Sequence, residues 1–199
     1  IGSETYSLAL KNAITNYPGL IVCSSGNDGK DTDEDAVYLN EYNNDNLICV
    51  GNSTATDYRQ EGSNYGINTV DLFAPGTNIW SDYPLDKENG VKQLTGTSMA
   101  APHVTGVAAL LKAQNPNITW LQVKTRILDN VDVTPTLNRL CVTNGRLNAY
   151  KALLNSQHTH TYIAQPYNLE YHKLYCNPCG NYIYQAHNWV LVDDLLSTQ

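Results

Sequence analysis

An α/β fold with a mainly parallel sheet flanked by helices is predicted for residues 1–154, and three observations predict it. Short apolar runs bounded by turn residues alternate with segments of helical period, and the longest of those segments is apolar nearly all round. Residues 5–16 place Tyr6, Ala9, Leu10 and Ala13 at helical spacing before Pro18-Gly19 stops the pattern. Leu20-Ile21-Val22-Cys23 and Leu47-Ile48-Cys49-Val50-Gly51 read as strands buried on both faces, as parallel sheets require. Residues 68–74 form a third, weaker strand pattern ahead of Pro75-Gly76. Residues 99–112 read as a helix for the middle of a protein, with Pro102 expected near its first turn, where a missing N–H matters least. Thr119-x-x-Gln122 is a capping-box pattern opening a helix through Leu128, and a last short helix is expected over 147–154.

Composition excludes other classes. Twelve Lys and Arg stand against 19 Asp and Glu, a net charge of -7, and no basic stripe is interleaved with aromatics, so nucleic acid is not an expected partner. The longest apolar stretch, 106–111, is about a third of the roughly 18 residues a membrane-spanning helix needs. No basic, then apolar, leader opens the chain, and the sole methionine is Met99, so upstream sequence is expected to be missing. The acidic and amide-rich residues 31–46 read as a solvated connection, because the defined ligand spacing of a calcium loop is not there.

Near Asn155 the composition shifts to His, Tyr, Cys and Asn, which marks residues 155–199 as a separate small module. Cys23, Cys49 and Cys141 are isolated and read as small buried hydrophobes, whereas Cys176-x-x-Cys179-Gly180 lies in a His-rich setting. A structural zinc ion would take His172, Cys176, Cys179 and His187, with His158 or His160 as substitutes. A Cys176–Cys179 disulfide or free thiols suit the same residues, and the three readings stay open.

The chemistry-bearing segment is Gly96-Thr97-Ser98-Met99-Ala100-Ala101-Pro102-His103-Val104-Thr105-Gly106. It sets a serine where a turn meets the start of a helix, beside unpaired N–H groups and the positive dipole end that favour a developing oxyanion. Over these eleven positions the sequence resembles the nucleophile motif of the subtilisin-like serine proteases, the subtilases. Ser24-Ser25-Gly26-Asn27-Asp28-Gly29 resembles the oxyanion-asparagine loop of that family. Ser63-Asn64-Tyr65-Gly66 with Ala74-Pro75-Gly76 resembles the segment before the nucleophile, and residues 144–149 its closing stretch.

The resemblance implies a serine endopeptidase acting on proteins or peptides, needing no cofactor for catalysis and located outside the cell or on its surface. Ser98 would be the nucleophile and Asn27 an oxyanion donor, while residues 23–26, including Ser24, Ser25 and Gly26, would form a wall of the substrate pocket. The family carries its general base in a His-Gly-Thr type motif and the orienting Asp in an Asp-Ser/Thr-Gly motif, both N-terminal to the stretch matched here. Neither motif occurs in this sequence, and His103, five residues past Ser98 on one helix, is expected to point elsewhere. The sequence therefore reads as the C-terminal portion of a catalytic domain, inactive alone, with a missing upstream segment supplying Asp and His. The alternative is a subtilase scaffold retained for binding without catalysis. Tyr38-Leu39-Asn40 replaces the family's Tyr-Pro-Ala type element, which leaves calcium at that loop open.

Overall fold

The computed structural model describes residues 5–42, 44–84 and 90–154, and the backbone of residues 162–166, 171–176 and 182–186. Its contacts divide the chain into two compact units, Ile1–Asn155 and Ser156–Gln199.

The first unit is a five-stranded, mainly parallel sheet flanked by helices. Strands β1 (Ile21–Ser24), β2 (Leu47–Ser53) and β3 (Leu72–Pro75) run parallel, with Cys23 opposite Cys49 and Val50 opposite Leu72. Two strands of two residues each, β6 (Asp132–Val133) and β7 (Gly145–Arg146), complete the order β1-β2-β3-β7-β6, with β7 parallel to β3 and β6 antiparallel to β7. All seven residues of β2 are buried, as befits a central strand covered on both faces. The third strand is shorter than its sequence pattern suggests, because residues 68–71 are drawn into loop hydrogen bonds with Asp33 and Cys141–Thr143 neighbours.

Helices α2 (Thr97–Gln114), α3 (Trp120–Leu128) and α4 (Ala149–Leu153) form one core with the sheet, where Ile48, Val50, Leu72 and Ala74 meet Ala100, Val104, Val107 and Leu111. A second cluster holds Cys23, Leu47, Cys49, Phe73, Leu137 and Cys141. Alternate residues of β2 feed the two clusters, which is the two-residue period of a strand.

Four local expectations need correction. Helix α1 (Leu8–Asn16) starts at Leu8, where the Ser7 hydroxyl accepts from the Leu10 N–H, and its one buried side chain is Ile14; Leu8 and Leu10 face solvent. Asn46 explains why Ile14 turns inward, since its amide caps the helix end by donating to Ile14, Tyr17 and Gly19 carbonyls. The connection over 31–46 is not merely solvated: Thr32 is buried, Asp31 bridges to Tyr65, and Asp33 accepts from Asn68 and Thr69. A hairpin of β4 (Ile79–Asp82) and β5 (Val91–Leu94) occupies a region with no strand pattern, and most of its side chains are exposed. Lastly, α2 is buried on one stripe only. Its opposite face, with Pro102, Gly106, Ala109 and Leu110, is open, and Leu110 is 52% exposed.

The second unit contains an antiparallel sheet of β8 (Tyr162–Pro166), β9 (Tyr171–Cys176) and β10 (Tyr182–Ala186) in the order β10-β9-β8. Tyr162, Tyr171, Tyr175, Tyr182 and Tyr184 lie on these strands. His172 and Cys176 lie four residues apart in β9, about 13 Å along an extended strand. The side chains of His172 and Cys176 lie outside the described residues, and the zinc, disulfide and free-thiol readings of this segment stay open. Cys179, His187, His158 and His160 lie outside the described residues.

Candidate active site

Parallel strands deliver their C-terminal ends to one edge of the sheet, which is where open α/β sheets form crevices. The loop after β1 carries Asn27, the turn after β3 carries Gly76, and the chain returns from β5 to start α2 beside them. Gly76 sits between the Asn52 carboxamide and the Gly96 carbonyl, where an added Cβ would meet these at 2.6 and 2.7 Å. The Gly96 N–H donates to the Gly76 carbonyl at 2.9 Å, which fixes the start of α2 against the end of β3.

Two hydrogen bonds join the loop of Asn27 to the turn that starts α2. The Thr97 N–H and hydroxyl both donate to Asn27 Oδ1, at 2.9 and 3.1 Å. A backbone N–H can face only the oxygen of a carboxamide, so this contact orients the group and turns Nδ2 the other way. Ser98, the next residue, is exposed at the second position of α2. Its N–H is one of the donors a helix leaves without an intrahelical partner, and Gly96 as N-cap offers no side chain to occupy it. Among the described residues neither Asn27 Nδ2 nor the Ser98 N–H or hydroxyl has a hydrogen-bond partner.

Ser98 stands on a ridge between two depressions. One, about 720 Å³, runs between β1 and the open face of α2 and is lined by Cys23, Ser24, Leu39, Ala101, Pro102 and Thr105 among others. The second, about 470 Å³, lies between α2 and the β4–β5 hairpin, with Trp80, Met99, His103 and Leu110. Of the sequence-predicted wall, Cys23 and Ser24 line the first depression. The Ser25 hydroxyl instead turns inward to donate to the Asn64 carbonyl, and Gly26 lies in the turn above.

Pro102 falls in the second turn of α2 rather than the first, because the helix already begins at Thr97. Having no N–H, it leaves the carbonyl of Ser98, four residues earlier, without the usual helical bond. His103 faces its own helix, with Nδ1 2.9 Å from the Met99 carbonyl, and makes no bond to Ser98. The thiols behind the wall are inert in character: burial, with Cys23 next to it, pushes Cys49 well up, and burial also raises Cys141. Among the described residues no group of three or more His, Cys, Asp or Glu is arranged to hold a metal ion.

Thr97 is the site residue that the sequence reading does not single out; its only signal is its place between Gly96 and Ser98. The model of the Subtilase family matches residues 2–157. The extracellular serine proteinase of Thermus sp. (strain Rt41A) is 40% identical over 126 residues, covering 63% of this chain and 29% of that protein. The major intracellular serine protease of Bacillus subtilis (strain 168) is 45% identical over 107 residues, 53% of this chain and 31% of the relative. Among solved structures, that of the subtilase cytotoxin assembly superposes with a TM-score of 0.64 at 27% identity, covering 75% of this chain and 54% of that one. The chain thus spans about a third of the length of these curated relatives. With a mainly parallel sheet flanked by helices and more than three quarters of its residues matched by the family model, the chain belongs to the subtilase family.

Proposed function

We propose that this chain carries the nucleophile and oxyanion hole of a serine endopeptidase that cleaves protein or peptide substrates outside the cell. The observation that carries the reading is the pinned Asn27: with Oδ1 held by the Thr97 N–H and hydroxyl, its Nδ2 has no partner among the described residues, and neither has the N–H of Ser98, the residue next to Thr97. Two such donors suit the oxygen of a tetrahedral intermediate. In the reaction, Ser98 Oγ attacks the peptide carbonyl carbon, its proton passes to a general base, and the C–N bond breaks as that proton moves to the leaving amine. Water then hydrolyses the acyl-enzyme by the same proton path. The depression beside Ser24 would take the side chain preceding the scissile bond.

The general base and its orienting carboxylate come, in this reading, from a segment N-terminal to residue 1 that carries the family's His and Asp. The open apolar face of α2 next to Ser98 and the outer edge of β1 supply a surface on which such a segment could pack. A fluorophosphonate probe tests the proposal on this chain and on a form extended upstream to include the His and Asp motifs. The expected result is an adduct on Ser98 in the extended form, located by mass spectrometry and lost in Ser98→Ala. No adduct in either form would overturn hydrolysis and leave a scaffold kept for binding.

A further inference from the structure

We infer that Asn64 is a positioning residue that sets the oxyanion carboxamide of Asn27; this rests on the role proposed above for Asn27. Asn64 is fully buried, and its polar groups converge on the turn that carries Asn27. Its N–H donates to the Gly26 carbonyl at 3.0 Å and its Nδ2 to the Ser25 carbonyl at 3.0 Å. Its Oδ1 accepts from the N–H of Asp28 and of Lys30, both at 3.0 Å. Both neighbours of Asn27, Gly26 and Asp28, are therefore held by one side chain and its own backbone, while the Asn27 side chain projects to Thr97.

The anchor is itself fixed. The Ser63 and Ser25 hydroxyls donate to the Asn64 carbonyl, and Ser63 Oγ accepts from the Asn52 N–H at the end of β2. The Arg59 guanidinium donates to the Ser63 carbonyl at 2.7 Å and stacks over the Tyr65 ring. The fit leaves no slack, because a Cβ on Gly26 would stand 2.5 Å from Asn64 Nδ2. Asn64 is thus the link by which the rigid end of β2 aims the Asn27 carboxamide. The Asn64 carboxamide meets two N–H donors on its oxygen and a carbonyl on its nitrogen at once, whereas an ionised aspartate has no donor for the carbonyl.

Amide hydrogen exchange on the chain as it stands gives the first test. Asn64→Ala is expected to speed exchange at Asp28 and Lys30, which lose their acceptor, and also at Thr97, whose acceptor is Asn27 Oδ1. The amides of β2 should stay protected. Asn64→Asp, which keeps the acceptor and loses the bond to Ser25, should retain protection at Asp28 and Lys30, and it serves if the alanine variant fails to fold. In the form that labels with the fluorophosphonate probe, Asn64→Ala should lower kcat about 10- to 100-fold with little change in KM, and the Asn27→Ala/Asn64→Ala double variant should be no slower than Asn27→Ala alone. Unchanged exchange at Thr97 in a variant with fast exchange at Asp28, or multiplicative losses in the double variant, would overturn the inference. Absence of any probe adduct would overturn the endopeptidase reading instead, while the exchange experiment would still decide whether Asn64 aims Asn27.

Discussion

At the scale of single residues, the site depends on a few backbone positions that a sequence pattern marks only as turn residues. Gly26 has φ +104°, in the left-handed region, and a Cβ there would stand 2.5 Å from Asn64 Nδ2. Gly26→Ala combines a backbone penalty with a steric one, and a loss of roughly 1–3 kcal/mol in unfolding free energy is expected from the conformation alone. Chemical denaturation of the purified variant checks this; an unchanged midpoint would show that the turn relaxes freely. Asn27 and Ser98 could be singled out as candidates because they stand in motifs, Ser-Ser-Gly-Asn and Gly-Thr-Ser-Met-Ala, whose residue types suit the chemistry. Thr97 and Asn64 were not assigned roles from sequence, since each acts through a hydrogen bond to a residue 70 or 36 to 39 positions away. Local order cannot announce such a pairing.

At the scale of elements, local rules predicted starts and stops better than faces. The Thr119-x-x-Gln122 pattern forms a full capping box: the Thr119 hydroxyl accepts from the Gln122 N–H, and Gln122 Oε1 accepts from the Thr119 N–H. Thr119→Ala should lower stability by about 1 kcal/mol, read as a shift in the urea midpoint with unchanged slope. The faces were harder to read. The spacing of Tyr6, Ala9, Leu10 and Ala13 suggests a buried stripe on α1, yet Ile14 is the residue that turns inward, because Asn46 holds the helix end against the sheet. An all-round apolar helix such as α2 implies burial everywhere, yet in this chain only the stripe of Ala100, Val104, Val107 and Leu111 is covered. The hairpin of β4 and β5, with Trp80 66% exposed, buries too little to leave an alternating pattern in the sequence.

At the scale of the first unit, charge closes what packing leaves open. Asp132 on β6 accepts from Arg146 Nη2 at 2.9 Å and from Asn148 Nδ2 at 2.9 Å, and pairs with Lys151 Nζ at 2.8 Å, while Arg146 also pairs with Asp57. Lys151 foremost, with Asn148 and Arg146, holds the Asp132 carboxyl below its ordinary value of 3.8. A depressed native value means that the unfolded chain binds the proton more readily. The stabilisation is therefore complete above about pH 4 and lost as pH falls through the native value. Asp132→Asn should cost roughly 1–2 kcal/mol near neutrality, a figure kept low because the group is partly exposed, and the gap to the parent protein should narrow as pH falls through the native value. Urea titrations across that range measure it. Asp71 has the opposite sign: burial raises its carboxyl despite Lys124 and the Cys49 N–H, so its contribution weakens as pH rises through the acid range. The sequence by itself determined the fold class and the buried strands and singled out Ser98 and Asn27 as candidates, because period, burial and motif are local properties written in neighbouring residues. Only the tertiary structure decided which amide group of Asn27 is free, which residue aims it and which face of α2 stays open, because those follow from hydrogen bonds and contacts between segments far apart in the chain.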